Sequence, residues 1–221
     1  MEDAPKDYLI RLKKLASRIG SILIFDEITS GFRMCNGGIH IKYGINPDIA
    51  VFAKSIANGY AMAAIIGTKE VMNATQTTFI SSTNWTERIG PVAAIATIRK
   101  YIREDVSSHI IMIGNLVKGV WSEHASKHDL KIRISGLPTL ASFSFDDVFN
   151  SERMTFFTIE MLKRGFLGYR QFKPSFAHKV SDVEKYSEAV DKIFEKIAKR
   201  DPNNLLDTPV AHTGFKRLTS E

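Results

Sequence analysis

The sequence predicts an α/β fold in its first part and an α+β arrangement in its second. Three observations carry this. SILIFD, DIAVFA and AMAAIIG are short, continuous apolar runs, the pattern of strands buried on both faces. Segments of helical period precede and follow them. Further on, KIRISG and TLASFSFD alternate apolar with polar residues, as strands with one wet face do. Two domains, or parts of two, are expected: residues 1–105 and residues 106–221.

The elements follow in order. Leu9, Leu12, Ala16 and Ile19 share one side of a helix over 8–19, and Gly20 supplies the stop. A helix leading into SILIFD is half of an α/β crossover unit. Residues 29–48 are expected to be irregular, punctuated by Gly31, Gly37, Gly38, Gly44 and Pro47. DIAVFA and AMAAIIG then bracket KSIANGY, a polar loop with an Asn-Gly turn signal. Short and long helices are expected over 68–73 and 86–103, with Pro91 near the start of the second. The next helix, 106–127, carries Ile110, Ile113, Val117 and Trp121 along one stripe. After the two alternating strands comes a helix over 151–164 ending at Gly165, then FLGYR as a short strand. Ser181, Asp182, Val183 and Glu184 form a capping-box pattern that opens a last helix to residue 199.

Composition narrows the function. The chain has 221 residues, 44% hydrophobic, enough for a sizeable core. No apolar run is long enough to span a bilayer, and MEDAPKDYLI is acidic where a signal peptide would be basic. A single cysteine, Cys35, rules out an internal disulfide framework and a cysteine-based zinc site. The cytoplasm is the expected compartment. A net charge of +6 invites a nucleic-acid reading. However, the lysines and arginines are scattered at helical spacing, as in Arg11, Lys14 and Arg18, which marks a solvated helix face. Neither nucleic acid nor membrane is expected as a partner, and no metal site.

Two placements call for chemistry. SILIFD stops on Asp26 and Glu27, although Asp is depleted from strands and costly to bury unpaired. AVFA hands the chain directly to Lys54. Alone, each has an ordinary reading: a polar strand end facing water, and a lysine snorkelling from a strand end. Together they gain weight. If both strands belong to one parallel sheet, their C-terminal ends open on the same crevice, where ligands bind in such sheets. A carboxylate and an amine facing one ligand suit pyridoxal 5'-phosphate, whose aldehyde takes a lysine and whose protonated ring nitrogen takes an acid. Strand alternation adds Ile28 to the side of Asp26, where it can pack on the ring.

FDEITSGFR followed by YGINPDIAVFAKSIANGYAMAAIIGT resembles the class III aminotransferases, in particular the glutamate-1-semialdehyde aminomutase-like branch. The resemblance implies pyridoxal-phosphate-dependent transfer of an amino group, or its shift within a substrate. It assigns Asp26 to the pyridinium nitrogen, Ile28 to the cofactor face and Lys54 to the Schiff base. IGPVAAIATIR resembles the Pro-x-Ala-x-Ala helix that follows the active-site lysine, and KPSFAHKVSDVEKYSEAVDKIF resembles the C-terminal domain. The implied architecture is a partial fold type I: part of the large-domain sheet plus the α+β small domain. The resemblance also implies a homodimer and small-molecule amino donors and acceptors.

The sequence departs from the family in two ways. Where relatives carry Gly-Thr-x-Ser-Gly-Asn-Pro, this chain reads FISSTNWTERIGP. Thr83 is assigned the role of that threonine on the cofactor phosphate, with Ser82 the next choice and Thr86 as a helix cap. The chain also resembles only the C-terminal half of a member. The phosphate loop, the ring-stacking aromatic and most of the substrate pocket would lie in the other half. The expectation is a truncated form, whose unpaired apolar sheet edge calls for a complementary N-terminal half. The rival reading is a non-catalytic fragment or subunit that cannot hold cofactor alone. Of the remaining residues, His178, Trp85 and Trp121 read as structural, Glu27 as a structural partner and Arg33 as a brace for the loop after the first strand. Arg33 and Arg170 are also each candidates to meet a substrate carboxylate by bidentate pairing.

Overall fold

The computed structural model describes residues 6–212 other than Ser82, Asn84 and Trp85. It packs into two units, one running to Ile111 and the other starting at Met112.

In the first unit, α1 (Lys6–Ile19) leads through a turn at Gly20 into β1 (Ile24–Asp26). Asp48 ties the two together, accepting from Lys13 Nζ at 2.7 Å and from the Leu23 N–H at 2.8 Å. The lysine, and then the Leu23 amide, hold its carboxyl below the usual range. A short helix, α2 (Ile39–Tyr43), interrupts the stretch expected to be irregular, and Gly44 closes it in the left-handed region (φ 68°). β2 (Ile49–Phe52) pairs with β1 in parallel, with Asp26 opposite Val51. β3 (Ala64–Gly67) pairs with β2 antiparallel, with Val51 opposite Ile65. The sheet order is β1-β2-β3. α3 (Lys69–Met72) follows, then α4 (Ile89–Arg103). The cap of α4 is Glu87 rather than Thr86. Its carboxylate accepts from the Ile89 N–H at 2.5 Å and the Gly90 N–H at 3.1 Å, two amides of the first turn that no carbonyl within the helix can reach.

The expectation of strands buried on both faces fails here. Register puts Phe25 with Ala50 on one face, and Ile24, Ile49, Val51 and Ile65 with Asp26 on the other. Ala50 and Phe52 are buried with Ile56, Ala57 and Ala94. On the other face, Ile24 is 55% and Ile65 60% exposed. α4 repeats the pattern. It buries Gly90, Ala94 and Tyr101, while Ile89, Val92, Ile95 and Ile102 form an exposed apolar stripe. The core of this unit lies on the Ala50 and Phe52 side, and the opposite face is covered only in part, with Ile49 and Val51 half-buried.

The second unit is closed around a much larger core. α5 (Val106–Lys127) crosses the boundary at Met112 and buries Ile110, Ile113, Val117 and Trp121 in the expected stripe, the last three within this core. β4 (Ile132–Ser135), β5 (Ala141–Phe145) and β6 (Gln171–Phe172) form an antiparallel sheet in that order. FLGYR itself is irregular, and the pairing falls on the two residues after it. α6 (Asn150–Leu162) and α7 (Val180–Lys199) complete the unit. Phe143 on β5 sits among Trp121, Phe157 and Phe194 at ring separations of 4.8–5.9 Å. The indole N–H of Trp121 donates to the Tyr186 hydroxyl at 2.8 Å, which satisfies a donor that burial would otherwise strand. α7 starts at Val180, so Ser181 lies inside the helix. Asp182 makes the reach-back instead, accepting from the Lys179 N–H at 2.9 Å.

Candidate active site

The carboxylate pair at the end of β1 separates into two roles. Asp26 is exposed and its Oδ1 accepts from the Ile28 N–H at 2.9 Å, which ends the strand in a tight polar turn. Glu27 is 1% exposed and fully employed by the protein. Its Oε1 accepts from both the N–H and the Nδ1 of His40, and its Oε2 accepts from the Ser30 hydroxyl. Glu27 is thus the structural partner that its position suggested, and the loop between β1 and α2 folds around it. Gly38 is required there, since a Cβ would sit 2.8 Å from the Glu27 carboxylate and against the His40 ring.

Strand alternation does not extend to Ile28. β1 ends at Asp26, and Ile28 lies in the following turn, half-buried. Arg33 braces the same turn, its Nε donating to the Thr29 carbonyl at 2.7 Å. Burial pulls the guanidinium below its ordinary pKa, with nearby Tyr101 opposing the shift.

Lys54 follows β2 and opens a single 3-10 turn, Lys54–Ala57. Its backbone is left-handed (φ 51°), after an extended Ala53. A non-glycine residue in that region costs on the order of 1 kcal/mol, and such strain concentrates at functional sites. The side chain is exposed, and Nζ donates to Thr29 Oγ1 at 2.5 Å. Because β1 and β2 run in parallel, Asp26 at the end of β1 and Lys54 just past the end of β2 stand at the same C-terminal end of the sheet. The sequence reading foresaw this shared edge. It missed Thr29, a turn residue whose role depends on a contact between distant segments.

Thr83 is exposed in a turn between α3 and α4. Ser82 and Trp85 lie outside the described residues. In the second unit, His178 accepts the Ser175 N–H at Nδ1 (3.0 Å), and its ring packs edge-on against Phe172. The Arg170 guanidinium lies over the Tyr169 ring. Among the described residues, no group of His, Cys, Asp or Glu is placed to hold a metal ion. No described helix is long and apolar enough to cross a membrane.

An exposed carboxylate and an exposed amine, at the C-terminal ends of adjacent parallel strands, suit the ring nitrogen and aldehyde of pyridoxal phosphate.

Comparison with known proteins bears on the same region. The family model "Aminotransferase class-III" matches residues 1–186. The 3-aminobutyryl-CoA aminotransferase of Cloacimonas acidaminovorans is 28% identical over 199 residues, which cover 84% of this chain and 48% of that protein. The glutamate-1-semialdehyde 2,1-aminomutase of Fusobacterium nucleatum is 27% identical over 215 residues, covering 88% of this chain and 49% of that one. Among solved structures, the pyridoxal-phosphate internal aldimine form of a Sphingopyxis FumI protein superposes with a TM-score of 0.83 at 24% identity. It covers 93% of this chain and 52% of that one. An omega-transaminase from Sphaerobacter thermophilus gives 0.78 at 20% identity, covering 87% and 48%. The chain spans about half the length of the relatives it matches.

Proposed function

The chain belongs to the class-III aminotransferase family, and from that premise we propose that it carries the lysine-bearing half of a pyridoxal-phosphate site for amino-group transfer. The parallel pairing of β1 with β2, which brings Asp26 and Lys54 to one sheet end, is the observation that supports it. When bound, the cofactor supplies an aldehyde that an amine can capture and a protonated ring that draws electron density from the substrate Cα. Asp26 faces the ring nitrogen and keeps its proton in place. Ile28 would pack on the ring face. Lys54 Nζ would hold the cofactor through its amine and would serve as the base that takes and returns the Cα proton. Thr83 meets the phosphate. Transaminase and aminomutase use these residues alike, and both activities occur among the relatives. In this reading the first unit is part of the large domain, the second is the small domain, and the protein works in the cytoplasm on small-molecule amino donors and acceptors.

Two exposed apolar surfaces favour a second, compatible reading of the isolated chain. Ile24 and Ile65 on one sheet face, and Val92 and Ile95 on the outer side of α4, whose Ala94 packs with Ala50 and Phe52 of the other face, are exposed, and relatives carry about as much chain again. A complementary half, in homodimeric assembly, covers apolar surface of this kind and completes the site. Without it the chain is a non-catalytic fragment. An absorbance titration with pyridoxal phosphate tests the proposal. Saturable binding with a lysine-bound band that Lys54→Ala abolishes is expected. Identical spectra for the two proteins would refute it.

A further inference from the structure

We propose that Thr29 is a positioning residue for Lys54, holding its amine at the mouth of the site. The proposal rests on the reading of Lys54 as the cofactor lysine. A lysine stem samples many rotamers unless its tip is held. Here both ends are held: the root by the left-handed backbone at residue 54, and the tip by the 2.5 Å bond from Nζ to Thr29 Oγ1.

Thr29 is itself well anchored. Its carbonyl accepts from Arg33 Nε at 2.7 Å. The next residue, Ser30, donates its hydroxyl to the buried Glu27 carboxylate. The Gly31 N–H closes the turn on the Glu27 carbonyl at 2.8 Å, where a Cβ would collide with Phe52 and that same carbonyl. A β-branched residue also has few χ1 choices, so a fixed backbone gives a fixed hydroxyl. That hydroxyl both donates and accepts, and can hold the amine whether or not it carries the extra proton. Arg33 therefore acts on Lys54 through Thr29.

The test follows the rate at which the full chain captures pyridoxal phosphate, read by absorbance, in wild type, Lys54→Ala, Thr29→Val and Thr29→Ser. Valine keeps the branched shape and loses the hydroxyl; serine keeps the hydroxyl. The expected result is capture slowed about tenfold in Thr29→Val, the size of one lost hydrogen bond to a charged group. Its melting should be unchanged, and Thr29→Ser should stay within about twofold of wild type, since it retains that bond. Wild-type capture rates in Thr29→Val, or equal slowing in Thr29→Ser, would overturn the proposal. Wild type indistinguishable from Lys54→Ala would instead overturn the assignment of Lys54, and this proposal with it.

Discussion

Glu27 Oε1 meets His40 twice, accepting its backbone N–H at 3.0 Å and its Nδ1 at 2.9 Å across thirteen residues of chain. A buried carboxylate so engaged organises the whole loop between β1 and α2, including the turn that carries Thr29. Removing one partner of a buried hydrogen-bonded pair leaves the other polar group stranded. Glu27→Ala should therefore cost the first unit about 3 kcal/mol. Hydrogen exchange over residues 27–44 should report the loss, and unchanged protection there would contradict it.

Asp26 should behave in the opposite way. It is exposed, and its one internal bond is a local turn contact. Asp26→Asn should leave melting within about 0.5 kcal/mol of wild type but weaken pyridoxal phosphate binding about tenfold, through loss of the charge facing the ring nitrogen. Calorimetry and an absorbance titration separate the two effects.

The acid stability of the second unit should depend on Glu160. Burial alone would raise its pKa, but hydrogen bonds from Lys163, Lys196 and Arg164 outweigh it and hold the carboxyl at about 2. A carboxyl depressed on folding stabilises the native state above its unfolded value, near 4.5. That stabilisation is lost as pH falls toward about 2. Glu160→Gln should lower melting at pH 6 and flatten the acid limb of the stability profile. Parallel wild-type and variant profiles would count against this.

Gly114 on α5 faces the backbone of Pro138, whose carbonyl oxygen would lie 2.0 Å from an added Cβ. Neither element can yield as a flexible side-chain tip would. Gly114→Ala should cost about 3 kcal/mol by overpacking, measurable as a fall in the denaturation midpoint.

The α4 stripe gives a solubility prediction. Val92→Glu with Ile95→Glu should leave helix content intact, because both positions are exposed in the isolated chain. The pair should reduce binding of a hydrophobic dye and self-association, and should block reassembly with a complementary half. Light scattering and co-purification measure both.

Much of the fold was legible because its signals are local. The stripe from Ile110 to Trp121, the alternation in TLASFSFD and the linked motifs around Asp26 and Lys54 each lie within one element or one turn. Burial of the first sheet was not legible in the same way. A continuous apolar run predicts a covered strand, but the cover is made by other chain, and at Ile24 and Ile65 the described residues leave more than half of the side chain exposed. Caps were also displaced. A glutamate before the helix can accept from first-turn amides as well as threonine can, so Glu87 rather than Thr86 serves α4. Within the site, Asp26 and Lys54 could be read from their neighbours in sequence. Thr29 could not, because its partner lies 25 residues away, beyond α2 and β2. Nor could the left-handed backbone at Lys54, a conformation usually announced by glycine or asparagine.

Borohydride trapping tests the central claim most directly. The chain is incubated with pyridoxal phosphate, reduced and digested, and the modified lysine is identified by mass spectrometry, with Lys54→Ala as control. Label concentrated at Lys54, and lost from the control without moving to another lysine, is the predicted result. Label spread over surface lysines, unchanged by the substitution, would contradict the assignment of Lys54 as the residue that holds the cofactor.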